Sequence, residues 1–211
     1  VAMEHLISLF HAPLQRALQQ SFLQEHEESN TLEQSRFLHF VVELDNLSST
    51  ETIFQMFATE MFRQFAFDGL GFFLLQGDQL VCKRVETADP HYHDIGEDWF
   101  SFLRRNPYAL DTTDGGVSHA YLKHQVLFFP DVQTIMDLPM SAKDRQSLTI
   151  LETPRTLLLV PIGERQHAIG VLAFFSLQQT VAISEAEQET IALLAAHFGK
   201  ALGNIDDYLL D

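Results

Sequence analysis

The spacing of apolar positions changes along the chain, and each change marks a boundary between elements. Over residues 4 to 47 the period is helical. Leu6, Leu9, Phe10, Leu14, Ala17 and Leu18 recur at threes and fours, with Pro13 as a kink or early-turn residue. The polar run Gln24-Glu25-His26-Glu27-Glu28-Ser29-Asn30 interrupts this stripe, either as a break or as a solvated stretch of helix. Asn30 with Glu33 reads as a new helix start, and Phe37, Phe40, Val41, Leu44 and Leu47 form its apolar face. Ser48 with Glu51 is a further capping pair, opening a helix with Ile53, Phe57, Met61 and Phe65 on one stripe.

At Asp68-Gly69 the pattern turns to that of strands. "GLGFFLLQGDQLVCKRVE" reads as a hairpin turning at Gln76-Gly77-Asp78-Gln79. Thr87 to Asp98, with Pro90, Gly96 and His91-Tyr92-His93, reads as loop, and Trp99 to Leu103 as a short helix ending before Asn106-Pro107. After the loop signal "DTTDGG" comes a short helix, "GVSHAYLKHQ", and a buried strand, "VLFFPDV". Residues 134 to 151 read as loop and helix, with Lys143-Asp144-Arg145 as a charged stretch. "TLLLVPIGERQHAIGVLAFFS" is a second hairpin, nearly pure hydrocarbon around a polar turn. Ser184-x-x-Glu187 caps a last helix. Its Ile191, Leu194, Ala195, Phe198, Leu202, Ile205 and Leu209 form a narrow heptad-like seam suited to a partner helix. Helices flanking five or six strands predict an α+β layer architecture.

Composition narrows the function. The 211 residues suffice for one well-cored domain plus extra helix, and 18 Phe could line a cavity as well as a core. The formal net charge of −16 repels phosphate backbones and anionic lipid, so neither nucleic acid nor a membrane surface is an expected partner. The single cysteine, Cys82, rules out an intrachain disulfide and fits a cytoplasmic compartment. No apolar run reaches the ~18 residues of a membrane span, and the N-terminal stretch lacks the signature of a signal peptide.

Two hairpins and their flanking helices resemble the GAF domain family. The most specific stretch is "TLLLVPIGERQHAIGVLAFFS" followed by "ISEAEQETIALLAAHFGKALGN", similar to the family's closing strand–turn–strand–helix. "GVSHAYLKHQVLFFPDV" resembles its middle segment, a glycine-led helix before a strand ending in Asp-Val. The resemblance implies an α/β/α sandwich with a central antiparallel sheet of about six strands and long N- and C-terminal helices. It divides the chain into signalling helices over 1–47, a GAF domain over 48–204 and the start of an output helix over 205–211. It further implies a homodimer joined by the terminal helices. A small-molecule ligand would then control a C-terminal effector, such as a nucleotide cyclase or kinase. Cyclic AMP and cyclic GMP stay open as ligands. The Asn-Lys…Phe…Asp-Glu motif of the cyclic-nucleotide branch is nevertheless replaced by Leu177-Gln178-Gln179 and Ile183-Ser184-Glu185-Ala186-Glu187. No covalent bilin is expected, since the middle segment has His119 but no cysteine. A free methionine sulfoxide reductase relies on several cysteines, against one here.

Candidate ligand contacts follow. Gly116, Val117, Ser118 and His119 open a helix whose unpaired N–H groups and positive dipole end suit an anion; the competing reading is loop punctuation. Arg155 and Thr156 stand where a helix gives way to the second hairpin, with Thr149 and Thr153 as further hydroxyls; a surface salt bridge to Glu152 is the alternative for Arg155. Phe72, Phe102 and Phe128 could floor a pocket, or simply pack the core. Strand alternation lets only one of Phe72-Phe73, and one of Phe128-Phe129, face it. His91-x-His93 and His119 with His124 lack a third ligand in register, so no metal is expected. Neither a Gly-x-Ser-x-Gly, a phosphate-binding Lys loop nor a His-Glu-x-x-His occurs, and the chain reads as a regulatory domain rather than an enzyme. The rival reading is a GAF-like dimerising spacer whose pocket is filled.

Overall fold

The computed structural model describes residues 35–164 and 167–205. The first helix with Pro13, the Asn30 cap, two residues of the second hairpin's turn and the end of the seam at Leu209 lie outside them. The chain divides into two compact units, 1–43 and 44–211. The described part of the first is helical, with Leu38 and Val42 exposed and His39 3.4 Å from Glu43 one turn on.

Helix α1 is described over residues 35–45. Then follow α2 (Thr50–Gln64), β1 (Gly69–Gln76), β2 (Gln79–Thr87), α3 (His93–Arg105), β3 (Tyr108–Ala109) and α4 (Gly116–Lys123). After these come β4 (Leu127–Phe129), α5 (Ala142–Ile150), β5 (Thr156–Ile162), β6 (Gly170–Ser176) and α6 (Glu185–Gly203). The strands form one six-stranded antiparallel sheet in the order β3-β2-β1-β6-β5-β4. The hairpin turn lies at Gly77, whose φ of +62° suits glycine. Strands β1, β5 and β6 read as unbroken hydrocarbon because helices cover both faces of the sheet's centre.

On one face α2 and α6 pack an aromatic core. Phe198 of α6 lies 5.4 Å from the Phe72 ring, 4.7 Å from Phe57 and 5.6 Å from Phe54. On the other face Phe73, Val171, Ala173, Phe175 and Leu159 meet Trp99 and Leu103 of α3, Val117 and Ala120 of α4, and Leu151. Adjacent residues thus enter opposite cores, as the twofold repeat of a strand requires.

Four expectations change. The α2 cap is Ser49, not Ser48; its hydroxyl accepts the Thr52 N–H at 3.5 Å. The segment read as loop through Asp98 becomes helix from His93. Asp89 caps a 3₁₀ turn at Pro90–Tyr92 and the chain runs on into α3. Gly96 is there for close packing, since a Cβ would stand 2.9 Å from Thr87 Cγ2 on β2. The "VLFFPDV" strand shrinks to Leu127–Phe129 at the sheet edge, and its residues are only partly buried. Finally, the α6 seam is buried within its own chain: Ile191, Leu194, Ala195, Phe198 and Leu202 all lie in the core. A stripe of this width suits a sheet as well as a partner helix, and the sheet takes it. The Ser184–Glu187 capping box forms as expected.

Candidate functional site

A cavity of about 720 Å³ opens on the sheet face that carries α3 and α4. Its floor is Leu127 and Phe129 of β4 with Leu157 and Leu159 of β5. Gly116, Val117 and His119 of α4 form one wall, and Asp144, Ser147 and Leu148 of α5 the other. The segment Leu138-Pro139-Met140 borders it, and the Arg145 guanidinium holds that segment by donating to the Met136 and Leu138 carbonyls at 3.0 and 3.3 Å. Trp99 and Tyr108 close the inner end. The buried indole N–H of Trp99 donates to the Ser147 hydroxyl, so both polar atoms are partnered.

Asp144 is the cavity's carboxylate. Ser141 caps α5 by accepting the Asp144 N–H at 3.0 Å, which sets Asp144 in the first turn of α5, facing α4. Its Oδ2 accepts the Gly116 N–H at 2.8 Å and its Oδ1 accepts the Tyr108 hydroxyl at 2.8 Å. Burial pushes this carboxyl above its ordinary value, and the donors from Gly116, Tyr108 and Ser141 offset only part of that. Burial, reinforced by the charge of Asp144, likewise pushes the Tyr108 phenol well above its usual range. The neighbouring Lys143 is turned elsewhere. Its Nζ donates to Pro107 O and to Asp114 Oδ2, both at 2.6 Å, and lies 4.7 Å from the centre of the Tyr108 ring.

Of the residues singled out in the sequence, Gly116, Val117 and His119 line the cavity. Ser118 does not: it is buried, and its hydroxyl donates to Ala109 O at 2.7 Å, tying α4 to β3. Phe72 is on the opposite sheet face with α2 and α6. Phe128 alternates away from the cavity while Leu127 and Phe129 line it. Phe102 packs against the core behind the site without lining it. The helix-to-strand junction also stands apart. The Thr149 hydroxyl donates back to Arg145 O, and Thr153 takes a left-handed φ of +57° in the turn. The Arg155 backbone bridges Ser176 O and the Val132 N–H, and the Thr156 hydroxyl donates to Pro130 O while accepting the Val181 N–H. These bonds fasten the junction to the adjoining loops.

The anion site expected at the start of α4 therefore receives a carboxylate from within the chain. Asp144, Tyr108, Ser147 and Trp99 line the cavity and are not among the residues the sequence points to. The Ser141-x-x-Asp144 capping spacing is the available signal, overlapping the charged stretch Lys143-Asp144-Arg145. Cys82 is buried in the same core, and burial pushes its thiol far up, which leaves it unreactive in the folded chain. Among the described residues no group of three His, Cys, Asp or Glu is placed to hold a metal ion, and no helix is long and apolar enough to cross a membrane.

A six-stranded antiparallel sheet, helices on both faces and an apolar cavity beneath two short helices define the domain as α+β. The GAF domain model matches residues 49–202, and the chain belongs to the GAF family. Solved structures share the fold. The GAF domain of an Acinetobacter phosphoenolpyruvate-protein phosphotransferase is 14% identical, with 82% of this chain and 93% of that one covered and a TM-score of 0.57. That of a Bacillus halodurans two-component sensor histidine kinase is 21% identical, covering 77% and 99%, TM-score 0.55. A free methionine-R-sulfoxide reductase from Neisseria meningitidis, an enzyme, is 16% identical over 78% and 84%, TM-score 0.52. No curated protein matches the sequence significantly.

Proposed function

We propose that this domain is a small-molecule-sensing regulatory module, not an enzyme, and that its ligand occupies the cavity between α4 and α5. The observation that carries this reading is the cavity: about 720 Å³, walled by leucines, Phe129 and Trp99, with a few converging polar groups. A filled-pocket spacer accounts poorly for that volume. The family's enzymatic members offer little support for catalysis here, because the lone thiol is buried. Cyclic nucleotides fit less well than neutral ligands. Among the described residues no Lys or Arg lines the cavity, and a phosphate at the start of α4 would meet Asp144.

The route to an effector runs through the sheet. Phe73 packs on the cavity side, and its neighbour Phe72 packs on Phe198 of α6, so displacement of the cavity layer is felt at the C-terminal helix. A C-terminal kinase-type effector is the working assignment, by analogy with the histidine kinase above. A homodimer would have to use positions outside the buried α6 stripe, such as the exposed Leu193.

Thermal shift against a panel of amines, neutral metabolites, cAMP and cGMP, together with native mass spectrometry of the purified protein, tests this. A ligand should raise Tm in the native protein and lose its effect in Leu157→Trp, whose indole fills the cavity. Silence across the panel with no co-purifying molecule would count for the spacer instead.

A further inference from the structure

Resting on the cavity as a ligand site, we infer that it selects molecules that present an ammonium or similar cationic donor to Asp144, and rejects those with an anionic head. Three observations converge. First, the Asp144 carboxylate lines the cavity with capacity to spare. Gly116, Tyr108 and Ser141 donate to it, and a carboxylate has about four acceptor positions.

Second, its counter-ion is missing. Among the described residues no Lys, Arg or His forms an ion pair with Asp144. The adjacent Lys143 is held by Asp114 and the Pro107 carbonyl. Carboxylates withdrawn from water are normally paired with a cation, and the partial charge at the start of α4 supplies only part of one. A ligand ammonium would complete the pair.

Third, the remaining walls exclude an anion. The positive end of α4 is occupied by Asp144 itself, and among the described residues no basic side chain but His119 borders the space. Leu148, Leu159 and the Trp99 ring offer an apolar bed for an aryl or alkyl body beside the charged head. The ligand class is thus a small hydrophobic amine.

Three fluorescent probes with one frame and different heads test this: 1-naphthylmethylamine, 1-naphthalenemethanol and 1-naphthoate, titrated at high salt to screen the acidic surface. The amine should bind ~10-fold or more tightly than the alcohol, as a charge-assisted bond predicts, and the carboxylate weakest. In Asp144→Asn the amine's preference over the alcohol should disappear. That variant preserves the local bonds, since the Tyr108 hydroxyl can rotate to accept from the amide. Naphthoate binding as tightly as the amine, with the alcohol also bound, would overturn this inference and leave the cavity reading intact. So would an amine preference that survives in Asp144→Asn. Failure of all three probes would overturn both.

Discussion

The Asp144 carboxylate on α5 accepts the backbone N–H of Gly116, the first residue of α4, at 2.8 Å, although the two residues lie 28 positions apart. One contact joins two helices across the mouth of a cavity and fills the place where a helix start would otherwise hold an anion.

The closeness of α4 and α5 at this point depends on Gly115. A Cβ there would lie 2.5 Å from Asp144 Oδ1 and 2.6 Å from Tyr108 Cε1, whereas at Gly116 the nearest atom is the side-chain tip of Leu159, Cδ1, at 3.1 Å. Gly115→Ala should cost about 1–3 kcal/mol in urea denaturation, as overpacking does, and Gly116→Ala clearly less. Equal losses at the two positions would contradict the contact.

Asp144 makes stability depend on pH in an unusual direction for a carboxylate. Its folded pKa is raised above the ordinary 3.8 by burial, so between those two values the folded chain binds more protons than the unfolded one. Its contribution is therefore fully present below pH 3.8 and declines as pH rises through the folded value. The stability of the native chain minus that of Asp144→Asn, measured by denaturation from about pH 3.5 to 7, should fall with pH. A difference that rises with pH would show that the donors outweigh burial.

Trp99 is the chain's one tryptophan, and it borders the cavity. Its emission should change on ligand entry and provide a binding readout without a label. Ser147→Ala removes the partner of the indole N–H and should cost about 1–3 kcal/mol, the penalty of an unpartnered buried donor. Unchanged Trp99 emission at saturation, with binding established by calorimetry, would place the ligand elsewhere.

Phe198 separates core packing from helix pairing. Its ring contacts Phe54, Phe57 and Phe72 within the chain, so Phe198→Ala should lower stability by about 3–5 kcal/mol. The loss should be independent of protein concentration. A cost that grows on dilution would instead mark α6 as an intermolecular seam.

Much of the fold was legible because it is set by neighbours in sequence. The Gln76–Gln79 turn, the two apolar hairpins and the Ser184–Glu187 box each follow from spacing over a few residues. The α3 segment was misread because Pro90 and Gly96 look like loop punctuation. Pro90 is instead an early-turn residue, and Gly96 makes room for β2.

By itself, the sequence determined where strands and helices alternate, and that alternate strand residues enter different layers. It could not decide which of Phe72 and Phe73 lies on the cavity's side of the sheet, because both are fully apolar and both faces of the sheet are covered. Nor could it decide whether the α6 stripe meets a sheet or a second helix, since either partner buries the same hydrocarbon. Tertiary structure made those choices, and it brought Asp144 to Gly116. Local periodicity records which groups must leave water; only the packed chain records which distant group arrives to meet them.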